Sequence, residues 1–298
     1  MFVLETRKDT LLKPLQAAVG VVERKHTLPI LANILIEAVD DRTALVATDL
    51  ELQITTWMAV ECAAGTALTV SARKLLDICR ALPEGESIKL GLEGEQLKIT
   101  SGKSRFSLQT LPARDFAAGL GESVKHAVIS GEEFLAWHER HAAEILARDA
   151  DVLSELIARN CAVKADIVSR DEREAGLRAV LNYGHTVGHA LEHFLDYELR
   201  HGECVGLGMI AANELSCRRG LLAVPVAERI RELLSCLGLP GHVPRRLDPK
   251  QVVAVCRMDK KARCGAVNFM LARGPGQIER VSDVADAEIV AALAAIES

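Results

Sequence analysis

Histidines and carboxylates gather late in this sequence in a pattern suited to holding a metal ion. In Arg178-Ala-Val-Leu-Asn182-Tyr-Gly-His185-Thr-Val-Gly-His189-Ala-Leu-Glu-His193, three imidazoles recur at i, i+4 and i+8. That spacing puts them on one face of a helix. Such histidines serve one metal, or one metal plus one proton-transfer site. His201-Gly202-Glu203 follows shortly after. Upstream, Gly121-Glu122-Ser-Val-Lys125 sets an acid and a base three apart, again on one helical face. A catalytic zinc takes about three protein ligands and keeps one position open for water or substrate. Two histidines and a glutamate meet that need.

The elements that would position these residues fall into two halves with different patterning. Eight of the nine histidines lie after residue 116; only His26 precedes it. Residues 117–298 read as mainly helical. Ser130 with Glu133 has the S-x-x-E form of a capping box. VLSELIARNCAVKADIV carries Val152, Leu153, Leu156, Ile157, Cys161, Val163 and Ile167 as a broad apolar stripe. DAEIVAALAAIES reads as a last helix. One hairpin interrupts the helices: AVNFMLAR, the turn Gly274-Pro275-Gly276, then QIERVS.

Residues 1–116 read as α+β. FVLET alternates like a strand, and a helix follows with Leu11, Leu12, Leu15, Ala18 and Val19 at helical spacing. ANILIEAV, TALVAT and LELQITTWMAVEC are β-type runs. Ser71 is placed to cap a second helix, ARKLLDICRAL. SIKLGLE and QLKITSG flank a turn at Glu93-Gly94-Glu95. The order is β-α-βββ-α-ββ, read as a repeated β-α-βββ unit.

Composition narrows the function classes. A chain of 298 residues, 49% apolar, has room for one large or two ordinary cored domains. A net charge of −5 gives no bulk attraction to nucleic acid or an anionic membrane. No apolar run approaches the roughly 20 residues a bilayer span needs. The first residues, MFVLETRKDTLLKPL, lack the apolar core of a signal peptide. Eight cysteines include no C-x-x-C pair, so reduced thiols and a cytoplasmic location are expected.

The first half resembles a known family. RKDTLLKPLQAAVGVVERKHTLPILANILIEA, ATDLELQI, SARKLLDICRALPEG and GKSRFSLQTLPARDF are similar, in order, to the first domain of the bacterial DNA polymerase III β subunit, the sliding clamp of DNA replication. The resemblance implies a clamp-type domain in which Lys25 and Arg73 face DNA phosphates. Clamps hold DNA by ring closure and by sequence-independent phosphate contacts. One such domain closes no ring, so at most a residual contact with duplex DNA is expected.

The second half resembles another. AGLGESVKHAVI, CAVKADIV, DEREAGLRAVLNYGHTVGHALEH, HGECVGLGMIAANELS and MDKKARCGAVNFMLARGPG are similar to the C-terminal domain of 3-dehydroquinate synthase, a lyase of the shikimate pathway to aromatic amino acids. The resemblance implies Glu122, His185 and His201 as ligands of one divalent metal, Zn2+ or Co2+. It implies Lys125, Lys164, Arg178, Asn182 and Lys260 (Lys261 being the alternative) as contacts to the carboxylate, hydroxyls or phosphate of a seven-carbon keto-acid phosphate. Glu174 and His189 fall at proton-transfer positions. That family also uses NAD, bound by a preceding domain with a Gly-rich turn. No G-x-G-x-x-G follows a strand in residues 1–116.

The reading is therefore two domains, 1–116 clamp-like and 117–298 synthase-like, a mainly helical metal-binding domain with one hairpin. TLPARDFAAGLGE at the junction suits either side. Three functions follow as expectations: a synthase lacking its NAD-binding domain and inactive alone, a clamp fragment that contacts DNA, or a fusion without function. An exposed apolar patch is expected near 117–130 and 182–205, where a lost partner domain would pack.

Overall fold

The computed structural model describes residues 1–22, 29–48, 52–172, 176–258 and 268–297. The chain divides into two compact units, Met1–Ala113 and Arg114–Ser298, each with its own apolar core. Among the described residues, no helix is long and apolar enough to cross a membrane.

Unit 1 runs β1 (Phe2–Arg7), α1 (Lys8–Val19), β2 (Asn33–Val39), β3 (Arg42–Thr48), β4 (Gln53–Met58), β5 (Ala67–Ser71), α2 (Ala72–Ala81), β6 (Ser87–Glu93), β7 (Gln96–Ser101) and β8 (Ser104–Gln109). This is a β-α-βββ order twice over. The two halves exchange their first strands. The sheets run β4-β3-β2-β5 and β1-β6-β7-β8, all pairs antiparallel. Leu11, Leu15 and Ala18 of α1 and Leu75, Leu76 and Cys79 of α2 bury against Ile34, Ile36, Leu45, Ile88, Leu90 and Ile99 of the sheets. The β6–β7 hairpin turns at Gly94-Glu95, where Gly94 takes a φ of +56°.

Two strands escape the sequence pattern. β5 runs straight into α2 with no turn residue between them, so it merges with the helix start. β8 buries only Leu108, while Arg105, Phe106, Ser107 and Gln109 are exposed, so no alternation marks it as a strand. Ser71 is the N-cap of α2 by position, but its side chain makes no capping bond.

Unit 2 contains α3 (Ala113–Ser130), α4 (Glu132–Arg140), α5 (Ala142–Leu146), α6 (Ala150–Arg170), α7 (His185–Phe194), α8 (His201–Arg218), α9 (Val224–Cys236), α10 (Pro249–Met258), the hairpin β9 (Phe269–Gly274) and β10 (Gln277–Val281), and α11 (Asp286–Leu293). α3 starts at the last residue of unit 1. A 3-10 turn, Leu177–Asn182, leads into α7. α8 is buried almost continuously from Gly202 to Ser216, as a helix with apolar or small residues all round must be. It is the post on which the unit is built.

Three expectations need correcting. Ser130 and Glu133 do not form a capping box. α3 continues through Ser130, and the chain reverses at Gly131, whose φ of 127° is open to glycine alone. On α6, Leu156 and Ile167 are buried and Val152, Leu153 and Val163 are half-buried, but Ile157 is 61% exposed and Cys161 also faces outward. The apolar stripe is therefore narrower than its composition implies. Asp149 caps α6, accepting from the Asp151 and Val152 amides at 3.1 and 3.0 Å. The expected apolar patch is mostly absent. Leu120, Val124, Ala127, Val128, Tyr183, Val187 and Leu191 all lie in the core of unit 2, leaving Tyr197 as the large exposed hydrophobic of those stretches.

Candidate metal centre

Glycines bring three helices close enough to share a site. Gly202 of α8 rests on α3 so tightly that a Cβ there would overlap the Ala118 carbonyl. A Cβ on Gly121 of α3 would likewise overlap the Gly202 carbonyl. Between α7 and α8, a Cβ on Gly208 would overlap the Gly184 carbonyl. Gly184, the N-cap of α7, also takes a φ of 79°. The next residue along the chain from Gly121 is Glu122, from Gly184 is His185, and Gly202 follows His201. Each close backbone approach thus carries one side chain of the cluster.

Ion pairs lash the starts of α3 and α8 together. The Arg114 guanidinium donates to both oxygens of buried Glu203 at 2.7 and 2.8 Å. Arg200 Nε donates to Asp115 at 2.6 Å, and its amide donates to Glu203 at 2.7 Å. The Arg114–Glu203 pair has the bidentate geometry that fixes orientation as well as charge.

Glu122 Oε1 lies 3.3 Å from His185 Nε2 and 3.2 Å from His201 Nε2. Metal bonds of about 2.0–2.1 Å at a tetrahedral angle set two ligand atoms about 3.3 Å apart. The far sides of the rings are spoken for. His185 Nδ1 bonds the Tyr183 carbonyl at 3.2 Å, and His201 Nδ1 bonds Glu192 Oε1 at 2.9 Å. Both acceptors hold the proton on Nδ1, which turns the bare Nε2 lone pairs toward Glu122. Glu122 Oε1 is buried and receives no hydrogen bond of proper geometry, although both rings stand at ion-pair distance. Three lone pairs converging without a proton between them fit a divalent cation. His185, His201 and Glu122 would hold it.

The electrostatics agree. Burial pushes the Glu122 carboxyl up, but His185, His201 and Lys125 outweigh it and hold the group well below the usual carboxylate range. Lys125 Nζ donates to Glu122 Oε2 at 2.5 Å. Its own ammonium is lowered, chiefly by burial, with Glu122 opposing. The neighbouring carboxylates, Glu122 first and then Glu192, raise His201 against the opposing effect of burial.

The other predicted residues are placed as follows. His189 is exposed on α7, its ring centroid 5.2 Å from His185 and 5.9 Å from His201. Lys164, exposed on α6, lies near enough for its charge to act on Lys125 and His126. Half-buried Arg178 and exposed Asn182 sit on the 3-10 turn before α7; Asp171 anchors that turn by accepting from the Gly176 and Arg178 amides at 2.9 and 2.8 Å. Arg73 is exposed on α2 of unit 1 and donates to the Val22 carbonyl at 2.5 Å. Glu174, Lys260, Lys261 and Lys25 lie outside the described residues.

Sequence reasoning missed Glu192. With His189 and His201 it forms a second group of potential ligands. Its bond to His201 Nδ1 makes it an orienting carboxylate for the first centre. The spacing of His185, His189 and Glu192, at i, i+4 and i+7, was a signal on the same helical face. Glu203 and its partner Arg114 left no comparable signal, because they lie far apart in sequence.

Comparison with known proteins divides the chain in the same way. The family model described as "3-dehydroquinate synthase C-terminal" matches residues 119–262, and that described as "DNA polymerase III beta subunit, N-terminal domain" matches residues 2–119. The 3-dehydroquinate synthase of Desulforamulus reducens is 43% identical over 63% of this chain and 52% of its own length. That of Symbiobacterium thermophilum is 39% identical over 68% and 56%. This chain thus spans about half the length of these relatives. Among solved structures, 2-epi-5-epi-valiolone synthase from Streptomyces hygroscopicus, with NAD+ and Zn2+ bound, is 28% identical, has a TM-score of 0.58, and covers 62% of this chain and 52% of its own. A DNA polymerase sliding clamp from Pseudomonas aeruginosa is 34% identical over 44% of this chain and 39% of its own, with a TM-score of 0.35. The chain joins a segment similar to the N-terminal domain of the DNA polymerase III β subunit to a segment similar to the C-terminal domain of 3-dehydroquinate synthase.

Proposed function

We propose that residues 117–298 form the metal- and substrate-binding half of a 3-dehydroquinate-synthase-type site. The observation that carries this is the convergence of Glu122 Oε1 with His185 Nε2 and His201 Nε2 at 3.3 and 3.2 Å, beside the buried Lys125 ammonium. The ion, Zn2+ or Co2+, supplies Lewis acidity toward a hydroxyl or ketone when bound. Lys125, Lys164, Arg178 and Lys260 neutralise the carboxylate and phosphate of a small keto-acid phosphate, and Asn182 bonds its hydroxyls. Glu174 and His189 move protons; an imidazole titrates near neutrality, which suits that task. His189 stands within one ring's breadth of both ligating histidines.

The reaction also calls for NAD. In this chain the segment before the site is similar to a clamp domain, so the 298 residues are expected to bind metal and substrate without completing turnover. A coupled assay for phosphate release, supplied with NAD and Zn2+, tests this. Turnover above background overturns the inactive reading. Metal analysis tests the site itself: about one equivalent of zinc in the wild type and much less in Glu122→Ala and His185→Ala is expected. A metal-free wild type ends the proposal.

A second reading concerns unit 1, where Arg73 and Arg80, with Asp77 between them, line one exposed side of α2. Residual duplex DNA binding through them is tested by a salt titration. Binding at low salt that weakens in Arg73→Ala supports it, since removing a cation that neutralises a phosphate flattens the salt slope. No binding at low salt dismisses it.

A further inference from the structure

Behind Lys125 lies a line of polar side chains that neither holds the metal nor faces open solvent. Ser123 and His126 belong to α3, His138 to α4 and Asn160 to α6. His126 Nδ1 is 2.8 Å from Asn160 Oδ1, and Asn160 Nδ2 is 2.7 Å from Ser123 Oγ. Ser123 Oγ is 2.8 Å from His138 Nε2, and His138 Nδ1 is 2.9 Å from the Phe134 carbonyl.

Every proton in this line has one place. The Phe134 carbonyl only accepts, so His138 Nδ1 carries the hydrogen and Nε2 is bare. Ser123 then donates to that Nε2. Its oxygen accepts from the Asn160 amide, whose other hydrogen goes to the Leu156 carbonyl at 2.8 Å. The Leu156 bond fixes which end of the amide is nitrogen, so Oδ1 faces His126 and accepts from its Nδ1. Both imidazoles are neutral in this arrangement. Burial pushes His138 down to about 4 and also lowers His126.

The first link of the line, His126 to Asn160, lies beside a pair of like charges. His126 follows Lys125 directly on α3, and Asn160 stands one turn before Lys164 on α6. The Lys125 side chain is 5% exposed, and the positive charge of Lys164 acts against its own. Glu122 offsets part of the Lys125 charge, and Lys164 acts against what remains. Directional hydrogen bonds between α3 and α6 fix the register of the two helices against that repulsion.

We propose that Asn160, through its bonds to His126 and Ser123, is a positioning residue that holds Lys125 and Lys164 as a preformed site for an anionic group of the substrate. This rests on the substrate-site reading above. The test is a double-mutant cycle on the full, zinc-loaded chain, with inorganic phosphate as the probe and calorimetry as the measurement. Asn160→Ala is expected to weaken phosphate binding about tenfold in the wild-type background and less than about twofold in Lys164→Ala, because the positioned group is then gone. Equal losses in both backgrounds overturn the positioning role. If the wild type binds zinc but no phosphate, the substrate-site reading and this inference fall together. The line itself has a separate readout. Imidazole 15N spectra of the wild type should show His126 and His138 as Nδ1–H tautomers, with Asn160→Ala releasing His126. An Nε2–H tautomer at His138 in the wild type overturns the directional chain.

Discussion

Glu122 divides its two oxygens between two tasks: Oε1 faces both imidazoles, and Oε2 holds Lys125. Glu122→Gln keeps the shape but removes the charge and leaves an amide N–H or a weaker oxygen toward the rings. Zinc affinity should fall more than about 100-fold, and Glu192→Gln should cost about 10–100-fold by freeing the His201 ring. Competition against a chromophoric chelator measures both. His138 gives a pH prediction. Its imidazole titrates near 6.5 when unfolded and at about 4 in the fold. Between those values the unfolded state binds the extra proton, so stability is full above about 6.5 and is lost as pH falls toward 4. Denaturant unfolding should show a loss of about 2 kcal/mol from His138 between pH 7 and pH 5. His138→Phe should give a shallower profile; an unchanged one would place the effect elsewhere.

The helices matter here for how closely they approach rather than for their own stability. Gly202→Ala forces α8 off the Ala118 carbonyl of α3 and so parts His201 from Glu122. A destabilisation of about 1–3 kcal/mol is expected from the overpacking. A weaker zinc site should accompany it, both read in melts with and without metal. Wild-type zinc affinity in a stable Gly202→Ala would mean the close approach does not set the ligand spacing. The sequence made part of this legible. Helical spacing of His185 and His189 and the run of Leu11, Leu15 and Ala18 are local patterns, and they placed α7 and α1 well. Glu122 and His201 were linked to His185 only through family resemblance, because the glycines that unite them join segments distant in the chain. β8 was unreadable for a different reason: a solvent-facing edge strand has too few buried positions to leave an alternating signature. The width of the α6 stripe was overread, since apolar composition does not say which residues find a neighbour.

At the scale of the molecule, all three proposed ligands and the groups that orient them fall within unit 2. Residues 114–298 alone should therefore bind zinc within about threefold of the full chain's affinity, as their core is self-contained. A large loss of affinity on removing residues 1–113 would show that unit 1 supports the site. Unit 1 has a different dependence, set by its exchanged strands. Leu4 of β1 lies opposite Leu90 of β6, while β5 serves the sheet of β2. During synthesis, β1 has no strand partner until β6 has left the ribosome, and α1 meets a half-built surface meanwhile. Such remote pairing slows folding and leaves an open strand edge available to other chains. The time when this chain is most exposed to aggregation is thus written into which strand waits for which.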